Sequence, residues 1–160
     1  MAEGRPRGPD IRIPPPLLYA IPFATGMLVQ HFVPIRIVNG DGLARIIDLV
    51  GVVEILIGAS LGAWAVSTFR RLQTPVLPFH PARALAEEGP YALTRNPMYL
   101  GLAIVYLGIA LVMNAFWPLV FLPEAIGLTY LFAIRREEAY LAREFGDAYV
   151  AYRARVRRWI

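Results

Sequence analysis

Between residues 89 and 101 the chain places Tyr91, Arg95, Asn96 and Tyr99 within a short polar window, and Gly89, Pro90, Pro97 and Gly101 turn the backbone around them. Guanidinium, amide and phenol supply hydrogen-bond donors and ring faces close together, which is what a ligand cradle needs. A second polar group, Arg135, Arg136, Glu137 and Glu138, follows a long apolar run. A basic helix lying on a membrane surface accounts for the arginines but not for two adjacent acids at the boundary. Other chemistry is scarce: without cysteine there is no thiolate nucleophile or disulfide, and His31 and His80 stand too far apart to suggest a zinc site.

The elements that must position these groups are apolar. Of 160 residues, 57% are hydrophobic and 18% charged, a balance that points to a bilayer rather than to a soluble domain. The net charge of +4 comes entirely from arginine, and the arginines flank apolar runs rather than forming a stripe, which argues against nucleic-acid binding. The expected fold is all-α and polytopic. Transmembrane helices are expected over residues 17–35, 46–69, 98–115 and 116–134, behind a flexible cytosolic lead over 1–14. The first run, at 1.5 Å per residue, spans about 28 Å, enough for the hydrocarbon core. Gly58 and Gly62, and separately Gly101 and Gly108, offer small-residue faces for close helix packing. Glu54 and Glu124 fall inside spans, where a carboxyl group faces the bundle interior or is neutralised.

Residues 70–97 form the longest polar connection, stiffened by prolines, with one helical turn expected over 81–86. Residues 135–160 form an amphipathic cytosolic tail. Tyr140, Leu141, Phe145, Tyr149, Tyr152 and Val156 recur at three and four, Gly146 ends a first helix and Asp147 caps a second. Seven arginines from 135 onward, four between 70 and 95 and three before 13 contrast with Arg36 and Arg45 in the other connections. This asymmetry places both termini and the cradle in the cytosol. Arginine without lysine, with abundant alanine, suggests a GC-rich bacterial genome and hence an inner-membrane location.

Gly-Pro-Tyr-x-x-x-Arg-Asn-Pro-x-Tyr-x-Gly at 89–101, followed by Glu-Glu-x-x-Leu-x-x-x-Phe-Gly-x-x-Tyr-x-x-Tyr at 137–152, resembles the isoprenylcysteine carboxyl methyltransferases and their phospholipid methyltransferase-like relatives. The resemblance covers residue 70 to the end. It implies a membrane enzyme that binds S-adenosyl-L-methionine in a cytosolic pocket and methylates a lipidic or other hydrophobic acceptor arriving from the bilayer. It further implies cofactor contacts at Arg83, Ala84, Leu85, Ala86, Gly89, Tyr91, Asn96, Pro97, Met98, Tyr99 and Glu137. Arg95, Glu137 and Glu138 become candidates for catalysis. Many relatives carry histidine where this chain has Asn96, and the family's substrate arginine falls at Ala133, with Arg135 and Arg136 as nearby substitutes. Membrane sterol reductases resemble the same scaffold through a comparable Arg-x-Pro-x-Tyr stretch but use a nicotinamide cofactor, and a non-enzymatic membrane protein with a lipid-binding tail is a third reading.

Overall fold

Proline decides where two of the helices begin. Pro15 opens α1 (Pro15–Phe32) and Pro97 opens α3 (Pro97–Val112), each in a first turn, where a missing amide hydrogen removes no helical bond. Between them runs α2 (Asp41–Arg71), and after them α4 (Phe116–Thr129) and α5 (Arg135–Arg155). These helices come from a computed structural model describing residues 8–11, 13–76 and 80–159. The arginines at positions 5, 7 and 12, and Leu77, Pro78 and Phe79 of the proline-rich connection, lie outside the described residues. Among the described residues the fold is all-helical, and its one β-type contact is an isolated bridge between Arg36 and Ala115.

The chain packs as two helix pairs, α2 against α3 and α1 against α4. In the first pair the backbones nearly touch. A Cβ added to Gly58 would lie 2.6 Å from the Gly101 carbonyl oxygen, and one added to Gly51 would lie 2.6 Å from that of Gly108. Both contacts are reciprocal, so any side chain at these four positions would force the helices apart. Gly101 and Gly108 pack as their spacing suggests. On α2, however, Gly51 is the second contact, whereas a Cβ on Gly62 would meet nothing. A repeat of seven keeps both glycines on one helix face over two turns. In the second pair, Gly26 of α1 lets the backbone of Pro118 approach in the same way.

One end of the bundle is tied by side-chain bonds to the backbone. Asn114, at φ 48°, accepts from the Val38 amide and donates back to its carbonyl, both at 3.0 Å, and the Trp117 indole donates to Val33 O at 2.8 Å. The opposite end, where α2 finishes and α3 begins, is left open for the polar connection.

Several element boundaries differ from those read in the sequence. α2 begins at Asp41, five residues ahead of the expected span, and α1 stops at Phe32, before Pro34. Residues 81–86 form no helical turn, and the backbone there bonds instead to Thr74 and Tyr140. α4 does not end at residue 134, where the expected span stops: a π-helical turn, Tyr130–Ile134, carries it into α5 as one rod over Phe116–Arg155, which kinks at Gly146, non-helical at φ 50°, where the sequence led a first helix to end.

Two helices, α2 and this rod, are long and apolar enough to cross a membrane, and α3 is apolar but shorter. α2 exposes Ile46, Leu49, Val53, Leu56 and Ile57 on its outer side, a continuous apolar face that lipid would cover. Glu54 of α2 has a buried Oε2 without a hydrogen-bond partner among the described residues, while Glu124 is exposed on α4.

The reciprocal contacts lead to a direct expectation. Gly58→Ala should destabilise the folded protein by about 1–3 kcal/mol through overpacking, whereas Gly62→Ala should not. Thermal unfolding of the two variants in detergent, side by side, checks it.

Candidate active site

At the open end, α1, α2, α3 and α5 enclose a cavity of about 230 Å³. Each wall follows from a local sequence feature. Gly89, at φ 60°, turns the chain into a 3-10 segment (Gly89–Ala92), and a Cβ there would press on Thr68 Oγ1 at 2.9 Å. That turn lays Tyr91 flat against Phe69 of α2, ring centroids 5.0 Å apart and planes 12° from parallel. The Tyr152 hydroxyl donates to Tyr91 O at 2.7 Å and fixes the same segment from the side of α5. Thr74 Oγ1 accepts from the Ala84 amide at 3.0 Å, and Tyr140 Oη accepts from that of Ala82 at 2.9 Å, so Ala84, Leu85 and Ala86 form a wall without secondary structure of their own.

The two adjacent acids of α5 have different surroundings. Glu138 is ion-paired with Arg95, Nη1 to Oε1 at 3.2 Å, and is gripped by Arg158, Nε to Oε1 at 3.0 Å and Nη2 to Oε2 at 2.9 Å. The Arg95 side chain is only 9% exposed, and its Nε is buried without a partner among the described residues. Glu137 has no arginine partner among the described residues. It accepts the Tyr99 hydroxyl on Oε2 at 3.0 Å, and the Tyr19 hydroxyl of α1 donates to the carbonyl of Tyr99 at 3.0 Å. Burial raises the Glu137 carboxyl above the ordinary carboxylate range; the Tyr99 hydroxyl pulls it partly back and the charge of Glu138 raises it further. Burial likewise raises the hydroxyls of Tyr91 and Tyr152, so both stay neutral donors; Glu137 adds to the shift at Tyr91, whereas Arg95 opposes that at Tyr152.

The structure brings Ala84, Leu85, Ala86, Tyr91, Arg95, Asn96, Pro97, Met98, Tyr99, Glu137 and Glu138 to one cavity. Four residues singled out in the sequence do not line it. Arg83 and Arg135 are exposed, and Gly89 packs behind the wall on Trp64 and Thr68. Arg136 turns outward to Asp10, donating to its carbonyl at 2.6 Å. Ala133, where relatives of the resembling family carry arginine, is fully buried. Asn96 donates from Nδ2 to Arg158 O at 3.0 Å and is buried, so its amide braces the backbone.

Sequence reasoning missed Phe69, Thr74, Tyr140, Tyr149, Tyr152 and Arg158 as site components. For three of them the signal was present: Tyr140, Tyr149 and Tyr152 stand on the apolar stripe of the tail, but that stripe is buried in the protein rather than laid on lipid. Pro15 and Pro16, read only as a helix start, also line the cavity.

Residues 46–148 match the phospholipid methyltransferase family, a stretch that contains all but the first five residues of α2, the cradle and the acid pair. The chain belongs to that family. Over 72 residues it is also 35% identical to a protein-S-isoprenylcysteine O-methyltransferase of Schizosaccharomyces pombe. The shared stretch makes up 45% of this chain and 30% of that protein, so the chain spans well under two thirds of this relative's length. No solved structure matches.

The raised Glu137 carboxyl gives this family member a pH dependence whose sign is fixed. A carboxyl whose ionisation the fold opposes contributes stability that is present at low pH and lost as pH rises through its raised value. Glu137→Gln keeps an acceptor for Tyr99 and carries no such loss. Its melting temperature relative to the unmodified protein should therefore climb as pH is raised from 5 to about 8. A flat difference across that series would mean that Glu137 is as easily ionised folded as unfolded.

Proposed function

We propose that this protein is an integral membrane methyltransferase that takes its methyl group from S-adenosyl-L-methionine and delivers it to a hydrophobic acceptor. The observation that carries the reading is Glu137: a carboxyl in a largely apolar and aromatic cavity, oriented by Tyr99 and held by no arginine among the described residues. Such a group suits a positively charged ligand, and the family match supplies the reaction class. All four apolar helices cross the bilayer in this reading. The arginines near the cavity, Arg70, Arg71, Arg83 and Arg95, support a cytosolic position for that end in this reading, on the side where the methyl donor is dissolved.

The residues fit the donor. Tyr91, Met98 and the wall from Ala84 to Ala86 offer apolar surface for a nucleoside, and Glu137 offers charge for an ammonium or sulfonium. When bound, S-adenosyl-L-methionine supplies a methyl carbon on a cationic sulfur, and the sulfur keeps the electron pair of the broken bond. Transfer of that methyl forms a bond to the acceptor's oxygen or nitrogen, and an amine acceptor also gives up a proton. The chain's own contribution is placement. Tyr99 aims the Glu137 carboxyl, the aromatic wall excludes water, and Arg95 with Glu138 sets the rear of the cavity as a neutralised pair. Neither Arg83, Gly89, Arg135 nor Arg136 has a place in this mechanism.

The acceptor's route follows from the packing. α1 packs on α4 and α2 on α3, and the cavity wall includes Pro15 and Pro16 of the first pair with Phe69 and Leu102 of the second. A lipid chain in the bilayer can reach the cavity between the pairs, while the donor comes from the cytosolic side.

Calorimetry with S-adenosylhomocysteine on the detergent-purified protein tests the donor site. Saturable binding is expected, weakened at least about tenfold in Glu137→Gln through loss of a charged partner and also reduced in Tyr91→Ala. Binding of a nicotinamide dinucleotide in place of S-adenosylhomocysteine would replace this reading with a reductase.

A further inference from the structure

The last described residues, 156–159, lie beyond the stretch that matches the family. By composition they are one more part of a basic tail, yet the fold turns them inward. The Arg95 amide donates to Arg157 O at 3.0 Å, and Thr94 Oγ1 and Asn96 Nδ2 both donate to Arg158 O at 3.0 Å. Thr94 and Asn96 are buried, so the turn leading into α3 is held from behind by the carbonyls of the chain end. The guanidinium of the same Arg158 reaches α5, forking onto both oxygens of Glu138 and lying 5.0 Å from the ring centre of Tyr130. One residue therefore bonds both halves of the site, through its backbone to residues 94 and 96 and through its side chain to residue 138.

The geometry has a consequence for the acid pair. With both oxygens of Glu138 occupied by Arg158, and Oε1 also met by Arg95, Glu138 is a counter-ion. Glu137 keeps only its Tyr99 partner among the described residues. Without the fork, Arg95 would be the sole cation on Glu138 among the described residues, and beside that pair Arg95 would keep only the 3.4 Å bond from its Nη1 to Tyr149 Oη.

We propose that Arg158 is a positioning residue. Acting through Glu138, it fixes the Arg95 guanidinium against the cavity and leaves Glu137 as the one member of the acid pair free of arginine. The chain end is thus a strap that gives the site its geometry. The proposal relies on the methyltransferase reading for its binding probe alone.

The test compares Arg158→Met, Arg158→Lys, Glu138→Gln and the double variant Arg158→Met with Glu138→Gln, using exposed Arg153→Met as a control. All keep the backbone carbonyls. Affinity for S-adenosylhomocysteine should fall at least about tenfold in Arg158→Met, recover in part in Arg158→Lys, and fall no further in the double variant than in the worse single one. Arg153→Met should bind as the unmodified protein does. Wild-type affinity in a folded Arg158→Met, or losses that simply add, would overturn the proposal. So would equal losses in the Lys and Met variants, because a filler of space would need no charge.

If the unmodified protein itself binds no S-adenosylhomocysteine, the donor reading fails and the strap is judged without a ligand. Hydrogen exchange at residues 94–96 should then speed up in Arg158→Met and in Glu138→Gln alike, and their effects on thermal unfolding should be non-additive; unchanged exchange would overturn it. Should Arg158→Met not fold, the same comparison is read from Arg158→Lys and Glu138→Gln.

Discussion

The near-contact of two helix backbones governs the rest of this structure. Gly51 meets Gly108 and Gly58 meets Gly101, which fixes α2 and α3 as antiparallel neighbours in one register. Because the register is fixed, the last turns of α2, carrying Trp64, Thr68 and Phe69, come level with the first turn of α3 and the 3-10 segment before it. Phe69 can then stack on Tyr91, and Gly89 can slip past Thr68. In the membrane-spanning reading proposed above, two such helices gain little from hydrophobic association, so close backbone approach and the dispersion it brings must supply much of the specificity. A side chain at any of the four glycines would displace the cavity wall along with the helix.

The second constraint is electrostatic. Consecutive residues on a helix point about 100° apart, and Glu137 and Glu138 use that difference to occupy unlike surroundings. Glu138 looks toward the chain end and is neutralised by two arginines. Glu137 looks toward α3 and meets a phenol. Two carboxylates side by side in a buried site would repel each other and cost desolvation; binding one to cations, while burial and the neighbouring charge raise the other above the ordinary carboxylate range, eases that conflict. The π-helical turn just before them inserts a residue into the helix without ending it, and so helps to set the direction in which both acids point.

The parts of this arrangement visible in the sequence were those whose chemistry is unusual for their surroundings. Arg95, Asn96 and Tyr99 between two apolar runs, and an acid pair at the end of another, stood out because such residues are costly near a bilayer unless they have partners. Helix positions were legible from apolar run length, and their ends less so. The termini of α1 and α3 depend on Pro34 and on the left-handed Asn114, while the join between α4 and α5 is continuous because nothing from 130 to 135 breaks a helix. On α2 the expected Gly58 and Gly62 both lie against Gly101, but the second close contact, Gly51 with Gly108, was missed because it follows the repeat of seven on the partner helix rather than the spacing of four. Arg158 was invisible for a plainer reason. An arginine in an arginine-rich tail has the same local pattern whether it faces phosphate or a buried carboxylate, and only tertiary structure tells them apart.

Asn96 shows how position redefines a residue's role. Its amide could donate to a ligand, but the donor is used on Arg158 O, and the residue lies buried behind the turn. A histidine at the same place would bring a titratable ring to that carbonyl, with one nitrogen required as a donor to keep the bond. The amide provides the donor at every pH and so keeps the brace independent of protonation. Among the cavity's carboxyls, Glu138 is held by arginines and Glu137 is left to a phenol. The fold has thus separated two tasks that one histidine could combine: the turn is held by a neutral amide, and the titratable group that faces the cavity is a carboxyl.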